Sequence, residues 1–590
     1  MFEELNDKQK QAVFTTNHKV LVMAGAGTGK TKVLTNRIMK LLGDGINPNS
    51  IIAFTFTNKA SKEMKERIKK VSTFDNVYTF HAFCYECIKD FYYLLGFNEI
   101  PSIIDDSDKV KIIRDILIEL GIDFNTSCYL EYISKIKNHS LDNSVKNYKT
   151  ILKVFELYQK ELKKYSYIDF DDMVYLIVEN FETIYESSNF IQNIKYILVD
   201  ECQDTNPIQY ELINKLTHNN SYVFMVGDED QLIYSFRNSN IAILRDFKDK
   251  CDEIIILNEN YRCSKNILDA ANNLISHNTN RTNKELYSNI ESPYQIKIHE
   301  FASDLEEAKG VVGLIINLHQ KGFAYEDIAV LYRNNNQSYI IEKELYQNNI
   351  PYTVFGSKPI YKYKEIKQIL SVYRLLDNPN DLIAFINILN LDQQIIDIFK
   401  REYKKTLLDL LDFSIAYKNK SISQISKKIK DLFSIRFNLT NDQLFDKVLE
   451  LINIKEDINN SKTKNEIWER IMFLKSLILE SNDYKEFLNN IYLESDDKKV
   501  NGVNLLTIHK AKGLEFKAVF IIGCNEGILP MKNVDIEEER RLMYVAITRA
   551  KEIILISHIC TILVNFINKK VLQSSFVIEI KPIMCAIIKT

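Results

Sequence analysis

KVLVMAGAGTGKT, residues 19–31, joins a short apolar run to a loop that places Gly25, Gly27 and Gly29 within five positions. The run reads as a buried strand. Glycine permits the tight turns through which successive N–H groups face a single anion. Lys30 adds a mobile cation, and Thr31 adds a hydroxyl suited to Mg²⁺. The following TKVLTNRIMKLL has helical spacing, so its positive end faces the same place. Strand, glycine-rich loop and helix in this order predict a phosphate-binding loop with a nucleoside triphosphate as ligand. Ala24, Gly25, Ala26, Gly27, Thr28, Gly29, Lys30 and Thr31 are its expected cradle.

The chain has 590 residues, too many for one ordinary core, so several domains are expected. A hydrophobic content of 46% with 26% charged residues belongs to a globular protein. The formal net charge of −3 excludes a global basic signature, so a nucleic-acid partner must be held by local charge and by stacking. Nine cysteines are scattered, and only Cys84 and Cys87 form a CxxC, without the second pair that a four-ligand metal site needs. The polar opening MFEELNDKQKQ is no secretory signal. The most apolar stretch, 553–567, is shorter than the ~20 residues of a spanning helix and reads as a buried strand. A cytoplasmic protein without membrane attachment is expected.

Continuous apolar runs recur in two groups, as in parallel strands covered on both faces. The first group is 19–24, 51–57, 195–200, 222–228 and 253–257; the second is 328–333, 503–509, 518–523 and 552–557. Helical segments lie between them, giving an α/β pattern written twice. Residues 86–190 and 379–500 lack such runs and carry helical periodicity, which predicts two helical insertions. The expected first core is 1–85 with 191–262, and the second is 263–378 with 501–590.

ILVDECQDT, 197–205, sets Asp200 and Glu201 side by side at a strand end, where parallel sheets present their ligands. Triphosphate hydrolysis needs a carboxylate for Mg²⁺ and a group to orient water, which suits Asp200 and Glu201 respectively. In MVGDEDQLIYSFRNSN, 225–240, the Gln231 amide could read a γ-phosphate. Tyr234 and Phe236 beside Arg237 offer stacking faces near a cation. Asp169, Asp171 and Asp172 in YIDFDDMVYL are better explained by helix capping than by a metal.

LNDKQKQAV, AGAGTGKT, FTFTNKASKEMKERI, YTFHAFC, VDECQDT, VGDEDQLIYSFR, LNENYRC, IAVLYRNNNQSY, TIHKAKGLEFKAVFIIGCNEGILP and EEERRLMYVAITRAK occur in this order across residues 5–551. Together these segments resemble the superfamily 1A DNA helicases of the UvrD/PcrA/Rep type. The resemblance implies an α/β protein with two RecA-like parallel-sheet cores of the P-loop NTPase fold, each with an inserted helical subdomain. It implies an ATP- and Mg²⁺-dependent 3′–5′ helicase or translocase acting on single-stranded and tailed duplex DNA in repair or replication. The expected state is a monomer, or a dimer when active.

By the same resemblance, Gln9 recognises adenine, Tyr261 stacks on it, Glu515 contacts ribose or triphosphate, and Arg37 joins the ATP site. Arg262 and Arg549 reach the γ-phosphate from the second core, where a guanidinium fork suits phosphoryl charge. Phe56, Thr57, Asn58, His81, Tyr234, Phe236, Arg333 and His509 are the implied DNA contacts. Phe236 stands where the family usually carries tryptophan, and the second insertion is shorter than usual. The short insertion leaves open a translocase or displacement factor that does not unwind duplex by itself. A nuclease–helicase motor subunit and an RNA helicase are further alternatives.

Overall fold

The computed structural model describes residues 2–589 apart from 71–72, 105, 123–125, 219, 235–240, 280, 283, 356–362, 378–383, 385–386, 389–419, 454–463, 481–500, 565–566 and 581–584. The chain forms two compact units. One comprises Met1–Pro293 with Val534–Lys551, and the other comprises Tyr294–Asn533 with Glu552–Thr590.

In the first unit, strands β1 (Lys19–Ala24), β2 (Ile51–Thr55), β3 (Val77–Thr79), β4 (Tyr196–Val199), β5 (Tyr222–Gly227) and β6 (Glu253–Leu257) form a sheet in the order β3-β2-β4-β5-β1-β6. Every pairing is parallel. Alternate residues feed opposite faces: Leu21, Met23, Ile52 and Phe54 join one core cluster, while Val20, Val22, Ile51 and Ala53 join the other. Burial on both faces is why these strands are continuous apolar runs.

The 86–190 insertion is largely helical, as expected. Its helices Asp106–Glu119, Thr126–Lys137 and Tyr148–Lys164 enclose a small core around Ile113, Leu117, Val154 and Tyr158. Lys137 is 0% exposed, with Nζ 2.7 Å from both Asp169 Oδ2 and Asp172 Oδ1. Asp169 and Asp172 each accept the other's backbone N–H, so they do cap locally. Their larger role is to balance a buried cation, which the capping expectation omitted. Burial disfavours the Lys137 charge, but the two carboxylates outweigh it and raise its pKa.

In the second unit, β7 (Ile296–Ser303), β8 (Ile328–Tyr332), β9 (Tyr352–Phe355), β10 (Val503–Thr507), β11 (Phe516–Ile521), β12 (Ala550–Val564), β13 (Ile567–Lys570) and β14 (Cys585–Lys589) form a sheet. Its order is β9-β10-β8-β11-β12-β7-β14, with β13 antiparallel on β12. β8 pairs in parallel with β10 and β11, and β7 pairs in parallel with β12 and β14. The apolar tail therefore supplies strands rather than a membrane segment, and no described helix is long and apolar enough to cross a membrane. The described part of the second insertion is helical: Lys420–Ile435, Asn441–Leu451 and Lys464–Glu480.

Two parallel-sheet cores with helical insertions bear out the expected fold class. The first compact unit also contains 263–293 and 534–551, which the sequence reading grouped with the second core. Helix Ile536–Ile547 packs on helix Lys265–Ile275, and Arg540 donates to Asn278 Oδ1 at 2.7 Å. The Ser264 N–H reaches the Lys551 carbonyl at 2.9 Å.

Glu307, on helix Asp304–Gln320, is buried and accepts Gly523 N–H at 2.9 Å and the Ser557 hydroxyl at 2.6 Å on Oε1. Burial pushes its carboxyl up to about 7. A raised carboxylate pKa means that the folded state binds more protons than the unfolded chain between about pH 4.5 and pH 7. Stability therefore falls across that window as pH rises. Glu307→Gln keeps both acceptor bonds without the charge, so it is expected to stabilise the fold by roughly 2 kcal/mol at pH 8. The gain should vanish near pH 4.5, as read from urea midpoints at the two pH values.

Candidate nucleotide and nucleic-acid site

β1 ends at Ala24, and the backbone then turns through Gly27 at φ +67° and Gly29 at φ +86°. No side chain caps helix Lys30–Gly43 at Gly29, so its N-terminal amides face an open end. Leu286 packs against the start of the loop, where a Cβ on Gly25 would meet its Cδ2 at 2.4 Å. Thr28 donates its hydroxyl to Gly25 O at 2.9 Å, and Ala26 is buried.

Lys30 Nζ lies 3.0 Å from Glu201 Oε2, and Thr31 Oγ1 donates to Asp200 Oδ2 at 3.5 Å. Asp200 and Glu201 follow β4, two strands from β1 in the sheet, at the edge where strand C-termini gather ligands. Burial, then the neighbouring Glu201 carboxylate, push Asp200 up to about 7. A buried carboxylate beside a hydroxyl is a hard-oxygen donor set that fits Mg²⁺, and Lys30 above glycine amides fits a polyphosphate. Glu201 holds φ +50°, a left-handed conformation costing about 1–3 kcal/mol in a non-glycine residue. The strain aims its carboxylate at Lys30 and Gln203.

Gln203 was not anticipated from the sequence. Its amide donates to Glu201 Oε2 and its Oε1 accepts Asp228 N–H at 2.9 Å, which joins the β4 and β5 ends. Gln231 is buried and donates to Asp228 Oδ2 at 2.6 Å. Lys284 binds both Asp228 and Asp230, and Arg281 grips Asp230 through two 2.9 Å bonds. Gln231 therefore stands on a buried ionic platform.

Arg549 lies within this same compact unit and is 1% exposed. Its Nε donates to Val545 O at 3.0 Å and its Nη2 to Thr548 Oγ1 at 3.1 Å, while Arg262 Nη1 lies 3.5 Å from Thr548 O. Burial first and the Arg262 guanidinium second push Arg549 down to about 9, which still leaves it charged at neutral pH. A buried arginine beside a half-buried one favours an anion between them.

Three other candidates are placed differently from one another. Tyr261 is 50% exposed, and its hydroxyl donates to Glu259 Oε2 at 2.7 Å. Gln9 is buried, with its amide donating to Thr28 O at 3.0 Å and accepting Asn6 N–H at 3.2 Å. It supports the loop, so contact with a base requires exchange of those bonds. Arg37 corrects the sequence assignment. It donates to Val13 O at 2.7 Å and packs near Phe224 among Tyr196, Tyr222 and His18, at the strand starts opposite the loop.

Phe56, Thr57 and Asn58 follow β2, and His81 follows β3, its parallel neighbour. The Phe56 and Tyr234 rings stack at 5.3 Å, and Thr57 caps helix Asn58–Lys69. Burial lowers the His81 pKa to about 4, so the ring is neutral at pH 7 and offers a face rather than a charge. Phe170, which the sequence reading left within a capping segment, is 55% exposed and stacks on His81 at 4.0 Å. Phe236 lies outside the described residues. In the second unit, Arg333 follows β8 and His509 follows β10, adjacent parallel strands, and Glu515 is exposed just before β11.

The UvrD/REP helicase N-terminal domain family matches residues 5–252, and the UvrD-like helicase C-terminal domain family matches residues 255–561. The ATP-dependent DNA helicase PcrA of Staphylococcus epidermidis is 33% identical over 631 residues, covering 98% of this chain and 87% of that protein. The PcrA helicase of Staphylococcus aureus is 33% identical over 612 residues, covering 95% and 83% respectively.

Proposed function

The chain belongs to the UvrD-like helicase family, and from that premise we propose that it is an ATP-dependent DNA helicase that travels 3′ to 5′ along single-stranded DNA and opens duplex in repair or replication. The observation that carries the reading is the gathering of Lys30, Thr31, Asp200, Glu201, Gln231, Arg262 and Arg549 in one unit.

The loop amides and Lys30 bind the triphosphate. Lys30 then exchanges the Glu201 carboxylate for phosphate oxygens, and Glu201 becomes available to orient the attacking water. Thr31 Oγ1 and Asp200 are the groups that would hold Mg²⁺, which neutralises phosphate charge when bound. Gln231 reads the γ-phosphate by its amide, and Arg262 and Arg549 stabilise charge on the phosphoryl group in transit. Tyr261 offers its ring to the base, and Glu515 is assigned to ribose or triphosphate by the family pattern.

Phe56, Thr57, Asn58, His81, Phe170, Tyr234, Phe236, Arg333 and His509 grip single-stranded DNA. Stacking one base on a ring is worth ~1–3 kcal/mol and tolerates any sequence. The protein works in the cytoplasm as a monomer, or as a dimer when active. Duplexes with a 3′ or a 5′ single-stranded tail, incubated with ATP and Mg²⁺, test the reading. Opening of the 3′-tailed substrate alone is expected. Opening from 5′ tails alone would overturn the polarity, and ATP-driven movement without strand separation would favour the displacement factor.

A further inference from the structure

Asn260 lies between the two halves of the proposed chemistry and is 1% exposed. Its Nδ2 donates to the Ala26 carbonyl at 2.6 Å. Its Oδ1 accepts two backbone N–H groups, from Arg262 at 2.8 Å and from Cys263 at 2.7 Å. Its own backbone N–H is tied to Tyr287 O at 2.8 Å, and the neighbouring Tyr261 N–H donates to Gly27 O at 2.9 Å. A Cβ on Gly27 would meet Asn260 Nδ2 and Arg262 Cβ, each at 2.7 Å. The turn that carries Arg262 therefore rests directly on the glycine loop, and glycine at 27 is what admits it.

The chemistry of such a loop explains why a donor is needed there. When successive N–H groups face an anion, the carbonyls between them point away and need other partners. Ala26 O and Gly27 O find theirs in Asn260 Nδ2 and Tyr261 N–H. The Asn260 amide donates to the loop through Nδ2 and accepts from the arginine's turn through Oδ1, so one planar group ties the two together.

We propose that Asn260 is a positioning residue that sets the distance between the phosphate cradle and the Arg262 guanidinium, so that hydrolysis depends on it through Arg262. This rests on the reading of the site as an ATPase. Asn260 touches neither nucleotide nor metal in this account.

The test measures kcat and KM for ATP, with saturating poly-dT, in the full-length protein and four variants. Asn260→Ala should lower kcat about 10–100-fold, the loss expected when a reacting group is misplaced by about an ångström. Asn260→Asp retains both acceptor bonds but cannot donate to Ala26 O, and it sets a negative charge beside the cradle. With the tie to the cradle lost, its kcat should fall about as far as in the alanine variant. In an Arg262→Ala background, Asn260→Ala should remove no further kcat, because the two act as one unit.

Multiplicative losses in the double variant would overturn the proposal, as would an Asn260→Asp enzyme with wild-type kcat. A simple folding defect would lower kcat equally in both backgrounds and so counts against it. Wild-type turnover in Arg262→Ala would instead overturn the assignment of Arg262 to phosphate, and this inference with it.

Discussion

Replacing Arg549 with alanine is expected to leave single-stranded DNA binding intact and to cut DNA-stimulated ATP hydrolysis by about a thousandfold or more, the effect of removing an arginine that meets a transferring phosphoryl group. The Arg549 guanidinium donates to Val545 O and Thr548 Oγ1 at the end of the helix that precedes it, and its charge is held against both burial and the repulsion of Arg262. Such a cost is tolerated where a strongly anionic ligand compensates it. Arg549→Lys separates charge from shape: a point charge without the planar fork should recover only part of the rate. ATPase turnover with saturating poly-dT, set beside fluorescence titration with labelled oligonucleotide, reads both properties. Wild-type turnover in either variant would remove Arg549 from the site.

Lys137→Met is expected to destabilise the first insertion by about 3–5 kcal/mol, because breaking a buried ion pair from one side strands the other charge. Here two carboxylates would be stranded, with the Tyr158 hydroxyl still donating to Asp169 Oδ2 at 2.9 Å. Methionine fills most of the lysine volume, so the loss reads charge rather than cavity. Without the ammonium, the carboxylates prefer to be protonated. The deficit should therefore shrink as pH falls toward 5, whereas a packing defect would be indifferent to pH. Hydrogen exchange of helices Thr126–Lys137 and Tyr148–Lys164 at pH 5 and pH 8 distinguishes the two.

Legibility in the sequence followed the range of the interactions involved. β1 and β6 coincide with their apolar runs at 19–24 and 253–257; β1 is buried from Val20 to Ala24, as a strand covered on both faces requires, whereas β6 at the sheet edge leaves Ile254 exposed. β7, IKIHEFAS, mixes charge with apolar residues, and β9 is only four residues long, so neither announced itself. The tail strand Cys585–Lys589 has meaning only as the parallel partner of β7, almost three hundred residues earlier. The glycine loop and the Asp200–Glu201 pair were readable because their chemistry is local. Gln203, Asn260 and Lys284 were not, since each acts by joining segments far apart in the chain. Arg37 misled for the converse reason: it lies on the loop's own helix, yet two turns of that helix carry it to the far end of the sheet. Phe170 lay in a segment whose aspartates drew attention from the ring beside them.

The proposed DNA contacts follow neighbouring strands in register: Thr55 pairs with Thr79 just before Phe56 and His81, and Tyr332 pairs with Thr507 just before Arg333 and His509. Adjacent strands lie about 4.8 Å apart, an interval set by the peptide hydrogen bond. Each sheet edge thus works as a ruler whose divisions no side chain can alter. Substitution can change how hard a nucleotide is held at a given mark, but the pitch at which a polymer is sampled belongs to the backbone. A protein that must grip any base sequence gains from keeping its unit of length in the one part of the chain that is the same in every residue.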